Sequence, residues 1–123
     1  MCSSDLRLRD AGIDVFAVHP GVIQTELSRH LVQDDFILLA KRAEERGAPM
    51  EFKSVPQGAA TSVWAATAPE LAGRGGIYLE DCQVAQATVD NPSAGYMPHA
   101  VDPGAAEKLW NLSEAIVKQQ FSF

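Results

Sequence analysis

Few residues of this chain have chemistry to offer, and their spacing narrows the field further. Cys2 and Cys82 are its two cysteines, and His19, His30 and His99 its three histidines. None falls in a CxxC, HExxH or comparable ligand spacing, so neither a metal site nor a disulfide framework is expected. What remains is residues 14–27, DVFAVHPGVIQTEL: an apolar run, a His-Pro-Gly turn and a threonine where a helical pattern starts. Proline cannot donate to a strand ladder and glycine lets the backbone turn sharply, so Pro20 and Gly21 stop the run. Taken alone, Pro20-Gly21 reads as a turn and Thr25 as a helix cap. His19 reads as a packed, hydrogen-bonded histidine rather than a base, and no catalytic residue is assigned.

The elements around this turn are legible from periodicity. Residues 6–11, LRLRDA, resemble the last turns of a helix, with Gly12 at its C-terminus. Residues 13–18, IDVFAV, form a nearly continuous apolar run, the pattern of a parallel strand buried on both faces. Residues 25–32 suggest a short helix. Asp34 or Asp35 caps the next, with Phe36, Leu39, Ala40 and Ala43 at helical spacing and Arg46-Gly47 at its end. Pro56 opens a helix whose apolar stripe is Ala59, Ala60, Val63, Trp64 and Ala68, stopped by Pro69. After a glycine-rich turn at 72–76, residues 76–82 (GIYLEDC) read as a second strand, which makes the order βαβ and the sheet parallel. Residues 88–103 read as loop. Asp102-Pro103 opens a last helix over 104–119, with Leu109, Leu112 and Ile116 on one side and a Glu114–Lys118 pair on another. Trp64 and Trp110 are expected in the core, and Tyr96 packed on its loop neighbours.

Composition excludes several function classes. The 123 residues are 46% hydrophobic and 21% charged, with a net charge of −6, ordinary for one globular domain. An acidic chain is repelled by phosphate backbones, so no nucleic-acid partner is expected. No apolar run is long enough for a membrane span and no signal-peptide pattern opens the sequence, so the expectation is a soluble cytoplasmic protein. Residues 1–6, MCSSDL, read as the translated end of a sequencing adapter, with the domain at 7–123. The alternative is an ordinary polar N-terminus in which Ser3 or Ser4 caps a helix.

Three ordered segments, GIDVFAVHPGVIQTEL, KSVPQGAATSVWAATAPELAGRGGIYLEDC and AAEKLWNLSE, resemble the short-chain dehydrogenase/reductase family, and most closely its retinol-dehydrogenase-like branch. The resemblance implies an α/β fold: the C-terminal portion of a Rossmann-type doubly wound parallel sheet, with two parallel strands plus flanking helices. It further implies that Pro20 and Gly21 turn the chain at the carboxyl end of a strand, where open α/β sheets bind ligands. Val22 would then offer backbone groups to the nicotinamide carboxamide of NAD or NADP, and Thr25 its hydroxyl to the carboxamide or a phosphate oxygen. A carboxamide needs a donor and an acceptor in one plane, and peptide groups on a stiff turn supply both. A helix starting near Thr25 would aim its amides at the pyrophosphate.

The family moves hydride between a nicotinamide and an alcohol or carbonyl carbon, with a tyrosine giving or taking the proton and a lysine four residues on lowering its pKa. Here Tyr78 is followed four residues on by Cys82 and Tyr96 by Ala100, so there is no YxxxK. The family's glycine-rich nucleotide turn is missing too, since Gly73, Gly75 and Gly76 precede a strand. The expectation is therefore a fragment of an NAD(P)-dependent oxidoreductase of small alcohol or carbonyl substrates, inactive alone, with apolar surface exposed around Val15, Ala17 and the Ala-rich helix. Two other readings stand beside it: a short interaction module that pairs through an open strand edge, and an unrelated small binding domain.

Overall fold

A computed structural model describes residues 7–45, 47, 51–89 and 94–122; the reading of residues 1–6 falls outside them. The architecture is α/β. A three-stranded sheet has the order β1–β4–β5, from β1 (Ala17–His19), β4 (Tyr78–Glu80) and β5 (Gln83–Val84). A separate parallel pair joins β2 (Val22–Ile23) to β3 (Phe52–Lys53). The α-helices are α1 (Gln33–Glu45), α2 (Val55–Thr67) and α3 (Pro103–Val117).

The expected crossover is present. β1 runs parallel to β4 with Ala17 opposite Tyr78, Val18 opposite Leu79 and His19 opposite Glu80. Two backbone bonds, Gly76 N–H to the Val15 carbonyl (2.8 Å) and Ala17 N–H to the Ile77 carbonyl (3.2 Å), carry the pairing below the strand proper. At that end Asp14 accepts from the amides of Gly73 (2.6 Å) and Gly75 (2.9 Å), so one carboxylate holds the glycine-rich turn that feeds β4. The strand within residues 13–18 is shorter and later than the apolar run suggests. It is also not buried on both faces: Ala17 and His19 are exposed, Val18 is half-buried, and β1 is an edge of its sheet.

Strand β4 does not continue to residue 82. Asp81 (φ 50°) and Cys82 (φ 55°) both adopt left-handed conformations and return the chain as an antiparallel hairpin into β5. Two positive φ values define the turn type that matches strand twist, one that favours Asn or Asp followed by Gly. Cysteine in the glycine place is strained there. The strain is offset by Thr61, fully buried on α2, whose Oγ1 accepts the Cys82 amide at 3.2 Å.

Helix α2 begins at a capping box: Ser54 Oγ accepts from Gln57 N, and Gln57 Oε1 accepts from Ser54 N. Its buried members are Gly58 and Thr61 rather than the predicted stripe, of which Ala59 and Val63 are exposed. Small residues decide the face, because they let the helix approach the turn and hairpin closely. A Cβ on Gly58 would lie 2.6 Å from the side chain of Ile23. Helix α3 starts as read, with Asp102 accepting from Gly104 and Ala105 amides. Leu109, Leu112 and Ile116 nevertheless lie 57–70% exposed. Glu114 pairs not with Lys118 but with the Trp110 indole N–H and the Phe121 amide, both at 2.9 Å. Trp64 likewise donates to Glu70 at 3.0 Å, and both tryptophans are half-buried rather than core. The 25–32 segment holds one 3-10 turn, Glu26–Ser28, in place of a helix, and residues 88–103 include a bridge between Ala87 and Tyr96 and a 3-10 turn at Pro98–Val101.

The core is thin. Among the described residues the buried apolar side chains are Leu71, Leu79, Ala85 and Ala106. The chain presents 8967 Å² to solvent, against about 6,500 Å² for a compact chain of its mass. A groove of about 520 Å³ between β1 and α2, lined in part by Phe16, Val18, Ala65 and Ala66, is part of that uncovered surface. With so few buried apolar side chains, these short strands have little burial to make their unfolding cooperative. Heating the isolated chain, followed by circular dichroism, is expected to give a broad transition; a sharp one in a soluble monomer would contradict the uncovered sheet.

The contacts of Glu114 set a second expectation. The Phe121 amide and then the Trp110 indole, with a lesser contribution from the charge of Arg7, hold its carboxyl below the ordinary carboxylate value against the opposing effect of desolvation. A depressed folded pKa means that the contacts are intact above the ordinary value and lost as pH falls through the depressed one. In a Trp64→Phe background, Trp110 fluorescence should change only at pH below the ordinary carboxylate range, and Glu114→Gln should abolish that step. A midpoint at or above the ordinary value would refute the assignment.

Candidate functional site

The four residues singled out by sequence lie on one short path from the carboxyl end of β1. Pro20 follows His19 directly and is exposed; Gly21 turns the chain at φ 86°; Val22 enters β2 opposite Phe52 and is 39% exposed. Thr25 is extended (φ −135°, ψ 175°), with Oγ1 accepting from the Leu27 amide at 3.3 Å and its carbonyl accepting from the Ser28 hydroxyl at 2.8 Å.

Gly21 is needed for two reasons. A side chain at this φ costs about 1–2 kcal/mol. A Cβ would also lie 2.7 Å from Lys53 Cδ and 2.8 Å from Lys53 Cε. The space above the glycine is thus filled by the stem of Lys53, whose ammonium pairs with Asp81 on the β4–β5 turn. Gly58 plays the matching part beneath, where its missing side chain leaves room for Ile23.

The groups that this arrangement offers are hydrogen-bonding ones. Peptide groups and the Thr25 hydroxyl can meet a planar amide, and the exposed faces of Pro20 and Val22 leave the approach open. The single 3-10 turn after Thr25 has no helix dipole to direct at a phosphate, so the expectation of aimed helix amides fails; a three-residue turn leaves too few aligned peptides. His19 is exposed on β1 instead of packed, opposite Glu80 across the strand pair.

Both tyrosines are engaged in packing. Tyr78 and Tyr96 pack edge to face, with centroids 6.4 Å apart. Burial, then the Glu80 carboxylate, pushes the Tyr78 phenol above its ordinary value, away from working pH. Both rings line a cavity of about 420 Å³ with Ala17, Met97 and His99. Glu80 is itself buried and accepts the Gly95 amide at 2.7 Å, which ties the loop before Tyr96 to the sheet. Among the described residues no three His, Cys, Asp or Glu side chains gather as a metal site, and no helix is long and apolar enough to cross a membrane.

Sequence reasoning missed Lys53, whose stem lies over Gly21, its partner Asp81 on the β4–β5 turn, and Thr61, which accepts the Cys82 amide of that hairpin turn. The Asp81-Cys82 dipeptide carried part of the signal, since aspartate favours such turns, but cysteine masked it.

The chain is 39% identical over 109 residues to "Short-chain dehydrogenase/reductase prx1" of Penicillium roqueforti, covering 87% of this chain and 31% of that protein. It is 33% identical over 111 residues to "Retinol dehydrogenase 14" of Homo sapiens, with 90% and 30% covered. It is 43% identical over 105 residues to a "Probable oxidoreductase" of Streptomyces antibioticus, with 80% and 35% covered. The chain thus spans about a third of the length of the curated relatives it matches. No family model and no solved structure matches it.

Alanine at Gly21 must displace the end of the Lys53 side chain as well as adopt a strained φ. Gly21→Ala should loosen the β2–β3 pair, with amide exchange there rising about tenfold for the 1–2 kcal/mol involved. Unchanged exchange would refute the packing.

Proposed function

Because this chain belongs to the short-chain dehydrogenase/reductase family, we propose that it is the nicotinamide-side corner of an NAD(P)-dependent oxidoreductase acting on small alcohols or carbonyls. The observation that carries the proposal is the place of the turn: Pro20, Gly21 and Val22 follow the carboxyl end of a strand in a parallel pair, the end where α/β sheets receive ligands. When bound, the nicotinamide would supply the hydride acceptor or donor. Val22 would hold its carboxamide through peptide groups, and Thr25, whose Oγ1 accepts from the Leu27 amide, keeps its O–H to give to a carboxamide or phosphate oxygen. Residues 24–53, with α1 and its exposed Ile37, Leu38 and Leu39, would form part of a wall over the substrate.

No residue of this chain is proposed to transfer the proton. The phenol of Tyr78 is shifted upward and no lysine follows either tyrosine at the family spacing. On this reading the chain alone turns over no substrate and holds a cofactor too weakly to detect, because a single turn supplies only a few of the contacts a dinucleotide needs.

A second reading has one observation in its favour. Among the described residues β1 pairs on one side only, and an open strand edge is a template for another chain. An interaction module of this kind would bind a partner protein through β1 and be indifferent to cofactor.

Titration of the chain with NAD and NADP by calorimetry, together with an assay for alcohol oxidation, should show neither binding nor turnover. The same residues restored to a full-length family domain should contact the nicotinamide, with Thr25→Ala weakening cofactor affinity by roughly five- to tenfold, the equivalent of one hydrogen bond. Turnover by the isolated chain, or a full-length domain indifferent to Thr25→Ala, would overturn the proposal.

A further inference from the structure

Three elements converge on Gly21 through one side chain. Lys53 lies in β3 opposite Ile23, so its backbone is already in register with the strand that leaves the turn. Its aliphatic stem lies where the Cβ of Gly21 would be, and its ammonium pairs with Asp81. Asp81 sits on a fixed support, because the next residue, Cys82, donates its amide to Thr61 Oγ1 at 3.2 Å. Thr61 is 1% exposed on α2. The path therefore runs from a buried hydroxyl, through a tight hairpin turn and an ion pair, to the outer side of the Pro20–Gly21–Val22 turn. The lysine side chain is 27% exposed and that of Asp81 62%, so the stem is packed while the pair is open to solvent. A long amphipathic side chain used this way packs through its methylenes and is steered by its charge.

We infer that Lys53 is a positioning residue for the Pro20–Gly21–Val22 turn, holding the β2–β3 pair against the β4–β5 hairpin through Asp81. The inference rests on the cofactor-side reading of that turn for its functional meaning. Peptide groups that meet a planar amide must be held to within a fraction of an ångström, and β2 and β3, at two residues each, are too short to hold themselves. Lys53 touches neither cofactor nor substrate in this account; it acts through Gly21 and Ile23.

The test is amide hydrogen exchange in the whole chain, read by NMR. Lys53→Met keeps the stem and removes the charge, Asp81→Asn removes the partner, and Lys53→Arg keeps both stem and charge. Exchange across the β2–β3 pair should rise roughly two- to fivefold in Lys53→Met and in Asp81→Asn, the effect of an open ion pair. It should return to the parent rate in Lys53→Arg. The amides of Leu79 and Ala85 should not change in any of them, which separates local positioning from general loosening. The inference fails if β2–β3 exchange is unmoved by both charge removals, if arginine does not restore it, or if Leu79 and Ala85 change equally. No cofactor enters this measurement, so its failure leaves the family reading standing, and a failure of that reading leaves the mechanical role of Lys53 to be scored separately.

Discussion

The parallel pairing of β1 with β4 is the constraint on which the rest depends. It sets the direction of β1, and with it the end at which Pro20 and Gly21 leave the sheet. Its amino end is secured by Asp14, which accepts two amides of the glycine-rich turn. Its carboxyl end is secured by Thr61, which fixes the hairpin behind Glu80. The parallel crossover is covered by α2, and α2 can lie close only because Gly58 and Thr61 face inward. Reversing the pairing would put the turn beside the glycine-rich segment that feeds β4 and leave Lys53 without Asp81.

Much of this was legible in the sequence, for physical reasons that can be named. Pro20-Gly21 after an apolar run, proline at the start of α2 and the Asp102 cap of α3 are local signals, and all three sit where they were read. The capping serine of α2, Ser54, was there to be seen three residues before Gln57 and was passed over. Other features depend on partners far along the chain. An apolar run cannot state where its ladder starts, and here the strand occupies only Ala17–His19 because pairing is fixed by Gly76 and Ile77. Strands of two residues, as in β2 and β3, show no alternation at all. Apolar character points to Ala59 and Val63 as the inward face of α2, whereas close approach selects Gly58 and Thr61. At the candidate site, Pro20, Gly21, Val22 and Thr25 came from the sequence; Lys53 and Asp81, 28 residues apart, came only from the fold.

Functionally, the molecule joins a well-specified turn to a sparsely covered body. The chain spans about a third of its relatives' length. The uncovered groove beside Phe16 and Val18 and the exposed apolar stripe of α3 mark surface that this length of polypeptide does not bury. Across the fold, carboxylates support the backbone: Asp14, Glu80 and Asp102 all accept from main-chain amides.

The most direct measurement is the interstrand proton–proton contact pattern of the isotopically labelled chain. The account predicts contacts that link Val18 with Leu79 and His19 with Glu80 in parallel register, and so place Pro20 at the carboxyl end of the pair. An antiparallel pattern, or no contact between residues 17–19 and 78–80, would contradict it.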